Sequence, residues 1–587
     1  MSLIVVGISA YYHDSACCLL KDGVLVAAAQ EERFSLLKHD AALPKKAFLY
    51  CLREAGVTIA DVDHIAFYED PARKLARQVW SGVIRKEGEG ASLHLVQREI
   101  KEILGYDGPV TFVDHHLSHA ASSFFFSGFE SSAILTVDGV GEWATTTYGV
   151  GEGSRIRLFE EVHFPDSIGL LYSTITSYLG FEVNDGEYKV MGLAPYGEPL
   201  YADKIRKLIR CGQKGQFQLD MKYFDFLKGN RMYSEDLISL FERLPRSPES
   251  ELSKFAKDVA RSLQVVLEEL LLEKCRYLRR ETNAENLCMA GGVALNCVAN
   301  GKIRRSGIFK DLFVQPAASD AGGALGAAAW VHAGAAGTGA FGKMQHVYLG
   351  DGYSNEEIAR VLGATFVVAQ DFRGRTDELL DQTALRLSRG EVIGWFQGRM
   401  EFGPRALGGR SILGDPRNPD MRNRVNLMVK KREGFRPFAP AVLASESRHH
   451  FDLAADSPFM LETCQVTSPL DLPAITHVDG SARVQTVAPE TNPLFAGLLT
   501  RFGAITGCPI LLNTSFNVRG MPIVRSPLDA LECFIETDIN CLVMGDFLID
   551  KAQNPMCSRN ALQFLEKKFR QHHEPAPALQ TNVYTFI

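Results

Sequence analysis

The sequence has no excess of basic charge, and this absence argues against polyanionic partners. Its 587 residues include 63 Lys and Arg against 70 Asp and Glu, which gives a net charge of -7. Such a balance provides no electrostatic footprint for nucleic acid or for an anionic membrane surface. Basic residues do cluster between Arg399 and Arg436, but a local cluster suits a small anionic substrate better than a polyanion. We therefore expect no nucleic-acid partner.

Long hydrophobic runs are also missing. No apolar stretch reaches the ~20 residues that a membrane helix needs, and the apolar residues 3–8 are too few for a signal peptide. None of the twelve cysteines forms a C-x-x-C pair, and most lie in apolar surroundings, where Cys behaves as a small hydrophobic residue. These patterns predict a cytoplasmic protein without a membrane partner, a zinc ribbon or a disulfide framework. They do not indicate an oligomeric state.

What the sequence does contain is a repeated order of elements. Apolar runs and the Asp22-Gly23 turn predict three strands followed by helix, strand, helix, strand and helix in residues 1 to about 130. The same order returns in residues 131–342, interrupted by an irregular insertion at about 197–248. This duplicated α/β pattern resembles the superfamily of actin, sugar kinases and heat-shock chaperones (ASKHA, ribonuclease-H-like), in which two lobes clamp a nucleotide. The resemblance concerns architecture and does not by itself determine a function.

A Gly- and Ala-rich stretch at residues 333–344 predicts a connection between domains. We therefore expect a first domain at residues 1–342 and a second α/β domain at residues 343–587. The second domain would end in a peripheral charged helix, beginning at Ala561, and a tail.

The first half contains a candidate metal site in V-D-H-H-L-S-H-A, residues 113–120. His115 and His119 are four residues apart, so on a helix both imidazoles face the same side and can bind one ion. Asp138 and Asp320 lie at the ends of other predicted strands, in Gly-rich turns. Two His and two Asp suit a divalent metal such as iron, manganese or zinc. A helix that happens to begin with polar residues is the alternative interpretation.

Glycines at strand ends indicate candidate nucleotide contacts. The Asp138-Gly139 turn follows a strand and could hold a cation beside phosphates. In C-M-A-G-G-V-A-L-N, residues 288–296, two glycines would let an adenosine pack on the backbone, and a helix amino terminus would offer free N–H groups. Lys189 could neutralise phosphate charge, with a surface lysine as the competing interpretation. The candidates are Gly139, Lys189, Gly291, Gly292, Val293 and Asn296.

The loop after the first strand contains His13 and Asp14. In the superfamily that this chain resembles, the equivalent loop faces the reacting end of the nucleotide, which makes both residues catalytic candidates. A simple turn between strands is the alternative.

The second half combines basic residues with Gly, Pro and Phe, in G-P-R-A-L-G-G-R-S at 403–411 and K-K-R-E-G-F-R-P-F-A-P at 430–440. Arginine forks and a lysine that converge in a pocket bind phosphate well. A solvated basic face is the alternative. The residues expected to converge are Arg399, Arg405, Arg410, Lys430, Arg432 and Arg436.

Together these stretches resemble the NodU/CmcH family of O-carbamoyltransferases, in collinear order over nearly all of residues 1–550. The shared stretches are H-D-S-A, E-E-R-F-S, V-D-H-H-L-S-H-A, G-E-Y-K-V-M-G-L-A-P-Y-G, G-G-V-A-L-N, F-G-P-R-A-L-G, F-R-P-F-A-P, H-V-D-G-S-A-R-V-Q-T-V and L-N-T-S-F-N. The N-terminal part is similar to the TsaD-like tRNA threonylcarbamoyladenosine synthases. The C-terminal part resembles a YrdC-like domain that handles carbamoyl phosphate.

The resemblance implies a reaction at two sites. Carbamoyl phosphate is cleaved in the C-terminal domain, ATP with Mg²⁺ converts the carbamate to carbamoyl-adenylate in the N-terminal domain, and a hydroxyl of a small acceptor, as in antibiotic biosynthesis, attacks it. By the same resemblance His115, His119, Asp138 and Asp320 would hold a metal, with iron favoured. The residues that would hold carbamoyl phosphate are Lys430, Arg436, Arg483, Ser515 and Asn517.

Two details concern the reacting groups. Asp14 is the candidate general base for the acceptor hydroxyl. The family often has a basic run after E-E-R-F-S, whereas here Leu36 and Leu37 precede Lys38, so a role for Lys38 as a phosphate ligand stays open.

Three other functions are considered. A tRNA threonylcarbamoyl transferase is disfavoured because the chain lacks a basic stripe. A small-molecule kinase of the same superfamily would leave the His pair and the second domain without a purpose. A non-enzymatic ATP-binding regulator would not need the arginine-rich pocket. The acceptor itself cannot be identified, and the insertion at 197–248, with Tyr223, Phe224, Asp225 and Phe226, is the expected recognition element.

Overall fold

A computed structural model describes residues 2–82, 93–227, 231–337, 341–365, 367–430 and 434–554. The predicted helix from Ala561 and the tail lie outside the described residues. The chain divides into two compact units: residues 1–35 and 39–344 form the first, and the second begins at Gln345, with Leu36–Lys38 assigned to it. The division falls at the end of the Gly- and Ala-rich stretch.

The first lobe of the first unit is built on a five-stranded sheet with the order β3-β2-β1-β4-β5. β1 is antiparallel to β2 and parallel to β4, which in turn is parallel to β5. The strands are β1 (Ile4–Ser9), β2 (Ala16–Lys21), β3 (Val24–Gln30), β4 (His64–Phe67) and β5 (Val110–Phe112). The helices are α1 (Glu32–Ser35), α2 (Lys45–Glu54), α3 (Pro71–Trp80), α4 (Leu93–Glu99), which continues as a π-helical turn at Ile100–Leu104, and α5 (His115–Phe124).

The second lobe repeats this topology in a sheet with the order β8-β7-β6-β11-β12. Here β6 is antiparallel to β7 and parallel to β11, and β11 is parallel to β12. The strands are β6 (Ser131–Val137), β7 (Ala144–Glu152), β8 (Arg155–His163), β11 (Asn286–Ala290) and β12 (Asp311–Val314). The main helices are α6 (Ile168–Tyr178), α7 (Glu187–Leu193), α10 (Lys254–Thr282), α11 (Cys297–Arg305) and α12 (Asp320–Ala336). The predicted duplication, and with it the actin- and sugar-kinase-like fold, is confirmed.

The insertion folds as a small layer of its own. It contains α8 (Ala202–Arg206), the two-stranded ribbon of β9 (Ile209–Cys211) and β10 (Phe217–Leu219), and α9 (Glu235–Phe241). Its aromatic residues Tyr223, Phe224 and Phe226 are all buried, so they contribute packing area instead of an open face for an acceptor.

Helix α12 packs unusually close to its neighbours. A Cβ atom added to Gly326 would lie 1.7 Å from the carbonyl oxygen of Ser118 on α5. One added to Gly7 on β1 would lie 1.9 Å from the carbonyl oxygen of Ala324 on α12. Small residues along α12 therefore let it lie directly on α5 and on the sheet of the first lobe.

The second unit contains an eight-stranded mixed sheet with the order β13-β22-β21-β14-β15-β20-β16-β19. Its strands are β13 (Gln370–Asp371), β14 (Ile393–Phe396), β15 (Arg410–Gly414), β16 (Ala439–Leu443), β19 (Gln485–Val487), β20 (Ile510–Ser515), β21 (Cys541–Met544) and β22 (Phe547–Asp550); β17 (Cys464–Gln465) and β18 (Ser481–Ala482) pair separately. Its helices are α13 (Asn355–Thr365), α14 (Thr376–Ser388), α15 (Met421–Val425), α16 (Ser447–His450), α17 (Pro493–Thr506) and α18 (Pro527–Glu536). The comparison with a YrdC-like domain stays a prediction.

Within the described residues all eleven cysteines are free, and every one except Cys211 is buried, as their apolar settings predict. The described helices include none with the length and apolar character required to span a bilayer.

Candidate metal and nucleotide site

Four side chains from the two lobes converge on one point. His115 and His119 lie in α5, Asp138 directly follows β6, and Asp320 begins α12. The Nε2 atoms of both histidines lie 3.0 Å from Asp138 Oδ2, and 3.8 and 3.9 Å from Asp320 Oδ1. One donor atom from each residue lies within 4.8 Å of the other three, and all four residues are buried. The structure thus brings together all four residues predicted as metal ligands.

The duplication explains this convergence. Helix α5 follows the last strand of lobe 1 as α12 follows the last strand of lobe 2, and Asp138 follows the first strand of lobe 2 as the loop with Asp14 follows the first strand of lobe 1. Each loop faces the helix that ends the other lobe: Asp138 Oδ2 faces His115, and Asp14 Oδ2 accepts a hydrogen bond from Ser319 Oγ (2.9 Å). The site therefore lies on the pseudo-symmetric junction of the lobes.

Both carboxylates are oriented by other groups. Asp138 Oδ1 accepts hydrogen bonds from the backbone N–H groups of Gly139 (2.8 Å) and Gly292 (3.0 Å), which leaves Oδ2 for the histidines. Tyr68 donates to Asp320 Oδ2 (3.3 Å), which leaves Oδ1 on the side of the imidazoles.

Burial dominates the electrostatics of the cluster. It lowers the pKa of His115 to about 3, and it raises the pKa of Asp320 to about 7, with Asp138 contributing in the same direction. Burial would also raise the pKa of Asp138, but hydrogen bonds from His115 and His119 hold that pKa well below its usual range. Two buried carboxylates beside two imidazoles form an environment that stabilises a bound cation.

Glu142 anchors the helix that carries the histidines, and sequence reasoning missed it. Its carboxylate accepts hydrogen bonds from the backbone N–H groups of His115 (3.0 and 3.2 Å) and Asp70 (2.7 Å). Gly141 makes this approach possible, because an added Cβ atom would lie 3.0 Å from the side chain of His115. The two glycines before Glu142 in D-G-V-G-E were the available signal.

The candidate nucleotide contacts fall into two groups. Gly291 has φ of +94°, and an added Cβ atom would lie 2.3 Å from the carbonyl oxygen of Val137, so only glycine fits there. Gly292 and Val293 begin a short 3-10 turn (Gly292–Leu295), and no atom lies within 4 Å of a Cβ position added to Gly139. These positions leave backbone near Asp138 that a ligand could approach.

Asn296 and Lys189 are already engaged within the protein. The Asn296 side chain accepts a hydrogen bond from the Ala299 N–H and exchanges two with Gln264, all at 3.0 Å. Lys189 forms an ion pair with Asp185 (3.0 Å). Their roles in nucleotide binding stay predictions.

The loop with His13 and Asp14 forms a polar network next to the metal cluster. Asp14 has a left-handed backbone (φ +55°), and its two carboxylate oxygens lie 2.9 Å from His39 Nδ1 and 3.2 Å from His13 Nδ1. Burial would raise the pKa of Asp14, but His13 and His39 hold it well below its usual range. Sequence reasoning missed His39, which follows Lys38 in a stretch without a recognisable pattern.

In the second unit the predicted phosphate ligands lie along one edge of the sheet. Arg436 precedes β16, Arg483 precedes β19, and Ser515 ends β20; because β20 is antiparallel to β16, and β16 is parallel to β19, these ends share an edge. Ser515 Oγ donates to Asn517 Oδ1 (2.7 Å). The side chain of Lys430 and all of Arg432 lie outside the described residues.

Arg410 does not behave as the sequence predicts. It is fully buried, donates to the carbonyl oxygens of Gln397, Gly398, Gly409 and Asp351 (2.9–3.2 Å), and stacks on the Phe396 ring. Its guanidinium group holds loops of the unit together, so the prediction that it binds phosphate is corrected. Arg399 donates to the carbonyl oxygens of Leu349 and Gly350, and its role as a phosphate ligand stays a prediction.

Comparison with known proteins places the whole chain in one family. The models named Carbamoyltransferase N-terminus and Carbamoyltransferase C-terminus match residues 4–329 and 384–551. An uncharacterized protein of Synechocystis is 47% identical, over 94% of this chain and 97% of its own length. Nodulation protein NolNO of Sinorhizobium fredii is 40% identical (92% and 79%), and the 3'-hydroxymethylcephem-O-carbamoyltransferase of Amycolatopsis lactamdurans is 34% identical (75% and 80%). The chain therefore belongs to the carbamoyltransferase family of enzymes.

Proposed function

We propose that this enzyme transfers the carbamoyl group of carbamoyl phosphate to a hydroxyl group of a small molecule, with ATP as co-substrate. Water first hydrolyses carbamoyl phosphate to carbamate and inorganic phosphate. A carbamate oxygen then attacks the α-phosphorus of ATP, and pyrophosphate leaves, which forms carbamoyl-adenylate. The acceptor oxygen then attacks the carbonyl carbon, and AMP leaves. The observation that carries this proposal is the buried His-Asp cluster at the junction of two lobes, beside the glycine turn at Gly291–Val293.

The four converging residues fit a divalent metal. Two imidazole nitrogens and two carboxylate oxygens suit iron, manganese or zinc, and each Nε2 points at the same carboxylate oxygen. Burial, together with Asp138, raises the pKa of Asp320, so a cation bound here would favour the charged form of this carboxylate. Bound by these residues, the ion would neutralise part of the negative charge of the nucleotide phosphates.

His13 and Asp14 provide proton transfer at the acceptor side. Asp14 accepts a hydrogen bond from Ser319 and lies against the imidazoles of His13 and His39. Burial opposes protonation of His13, but Asp320 and Asp14 raise its pKa to about 9, so this imidazole carries a proton near neutral pH. We therefore assign the role of proton acceptor to the Asp14 carboxylate, and His13 orients that carboxylate.

Carbamoyl phosphate binds at the shared sheet edge of the second unit. Within the described part of the chain, Nε of Arg483 is buried without a hydrogen-bond partner. An anionic group would supply that partner, and Arg436, Ser515 and Asn517 come to the same edge.

The acceptor is a small hydroxylated molecule. The relative from Amycolatopsis is named for transfer to a 3'-hydroxymethylcephem. The acidic balance of this chain also argues for a small acceptor instead of a nucleic acid.

The test is a reaction with ATP and carbamoyl phosphate in the absence of acceptor. We expect pyrophosphate release that depends on carbamoyl phosphate, together with a carbamoyl-adenylate detected by mass spectrometry. Pyrophosphate release at the same rate without carbamoyl phosphate would contradict the proposal.

A further inference from the structure

Helix α3 buries two basic side chains beside the reaction site. Lys74 and Arg77 lie one turn apart, and only 7% and 2% of their surfaces are exposed. Lys74 is paired with Glu69 (2.7 Å). Arg77 differs, since its Nε and Nη1 atoms are buried and have no hydrogen-bond partner within the described part of the chain.

The carboxylates near Arg77 are already committed. Glu69 pairs with Lys74, and Glu142 accepts the backbone N–H groups of Asp70 and His115. A buried guanidinium that lacks an acceptor costs free energy, and proteins retain such groups where a ligand completes the pairing. Arg77 therefore indicates a ligand with an anionic group.

One aromatic ring lies against the guanidinium, and two tryptophan rings continue from it. Arg77 lies over the Phe164 ring, with its Cζ atom 5.4 Å from the ring centroid. Trp80, on the same helix, lies 6.2 Å from Phe164 and 5.6 Å from Trp143, measured between ring centroids. The Trp80 side chain is 59% exposed, so the cluster combines a buried cation with a ring surface that solvent reaches.

The cluster adjoins the loop that contains His13 and Asp14. Lys74 Nζ lies 5.5 Å from the centroid of the Tyr12 ring, and the Tyr12 and His13 rings are 4.3 Å apart. A molecule held on Trp80 and Trp143, with its charged group at Arg77, would lie on the side of His13 that is lined by Tyr12.

We propose that Arg77, Trp80 and Trp143 form the acceptor site, and that it takes a hydroxylated ring compound that carries a carboxylate or comparable anionic group. This inference rests on the proposed function, because it assigns the acceptor of that reaction. Arg77 binds the anion with its guanidinium fork, and the two tryptophans contact the ring.

A pair of matched probes tests the site. 4-(Hydroxymethyl)benzoate carries the anion, and 4-(hydroxymethyl)benzamide is its neutral counterpart; binding is followed by tryptophan fluorescence without ATP or carbamoyl phosphate. Wild type should bind the benzoate about tenfold or more tightly than the benzamide. Arg77→Gln should weaken benzoate binding by about 10- to 100-fold and remove the preference.

The controls separate charge recognition from ring contact and from folding. Arg98→Gln changes an exposed arginine of the neighbouring helix α4 and should keep the preference. Trp80→Ala should weaken both probes alike. Should Arg77→Gln fail to fold by circular dichroism, Arg77→Lys takes its place and should bind the benzoate more weakly than wild type. Equal binding of the two probes by wild type, or an unchanged preference in either Arg77 variant, overturns the inference. Pyrophosphate release by the same preparations reports on the proposed function independently.

Discussion

At the scale of single residues, the metal cluster depends on two imidazole nitrogens that point at one carboxylate oxygen. His116, between the two candidate ligands, instead lies 2.6 Å from Thr136 Oγ1 and 2.8 Å from the carbonyl oxygen of Ala144. His115 and His119 therefore face the cluster from one side of α5, whereas His116 packs α5 against the neighbouring sheet.

We predict that His115→Ala and His119→Ala lose the metal. Each change removes one of two nitrogens that converge on Asp138. Metal content measured by mass spectrometry should fall from about one ion per chain to below about a tenth. His163→Ala removes an exposed ring and serves as the control; full occupancy in the double variant would contradict the assignment.

Asp14→Asn should separate the two chemical steps. The amide keeps the shape but cannot accept a proton, so transfer to the acceptor should slow by ~10²–10⁴ while carbamoyl-adenylate still forms. Single-turnover kinetics that follow pyrophosphate and carbamoylated product separately give the answer.

The control for Asp14→Asn is Asp40→Asn, in the neighbouring loop, where the carboxylate accepts the backbone N–H of Ala42. If Asp14→Asn slowed adenylate formation and transfer equally, Asp14 would only stabilise the turn and would have no role in proton transfer.

At the scale of elements, α12 connects the fold to the site. It begins with Asp320, and its small residues allow close contact with α5, which carries the histidines. The position of Asp320 relative to the histidines of α5 therefore depends on Gly326, which lies between one and two helical turns after Asp320 on α12.

Gly326→Ala should disturb both stability and metal binding. The new methyl group would overlap the carbonyl oxygen of Ser118, which forces α12 away from α5. We expect a destabilisation of about 1–3 kcal/mol and weaker metal binding.

Gly334→Ala is the matched control, because on the same helix no atom of the described residues lies within 4 Å of the added group. There the better helix former should stabilise by roughly 0.5–1 kcal/mol. Thermal unfolding and metal titration measure both variants, and similar behaviour of the two would show that close packing of α12 is unimportant.

At the scale of the whole molecule, two units divide the proposed reaction. Arg436→Ala should abolish phosphate release from carbamoyl phosphate, because the second unit loses a positive charge at the shared sheet edge. ATP binding, assigned to the first unit, should stay within about twofold of wild type, since the change leaves every residue of that unit intact.

Phosphate release and ATP binding by calorimetry measure the effects of Arg436→Ala. Arg448→Ala changes an exposed arginine of α16 in the same unit and should leave both intact. An equal collapse of ATP binding in a folded Arg436 variant would contradict the division of labour.

The sequence by itself determined the duplicated topology and the set of converging residues. Alternation of apolar runs and turns predicts the order of strands, because local burial periodicity is written directly in the chain. Parallel strands in equivalent positions then bring Asp138 and Asp320 to the same junction as the His115–His119 pair, which is why the four residues could be named without coordinates.

Only the tertiary structure decided the partners of individual side chains. The composition around Arg410 predicts a phosphate ligand, yet backbone carbonyl oxygens surround its guanidinium, including that of Asp351, 59 residues away in the chain. The sequence around Arg77 predicts an ordinary helix cation, yet Arg77 is buried, and two of its nitrogens have no hydrogen-bond partner among the described residues. The aromatic residues of the insertion, expected to contact the acceptor, are likewise buried and contribute to packing. A residue type specifies what a group can bind, whereas its burial and its partners arise from contacts between residues far apart in the chain.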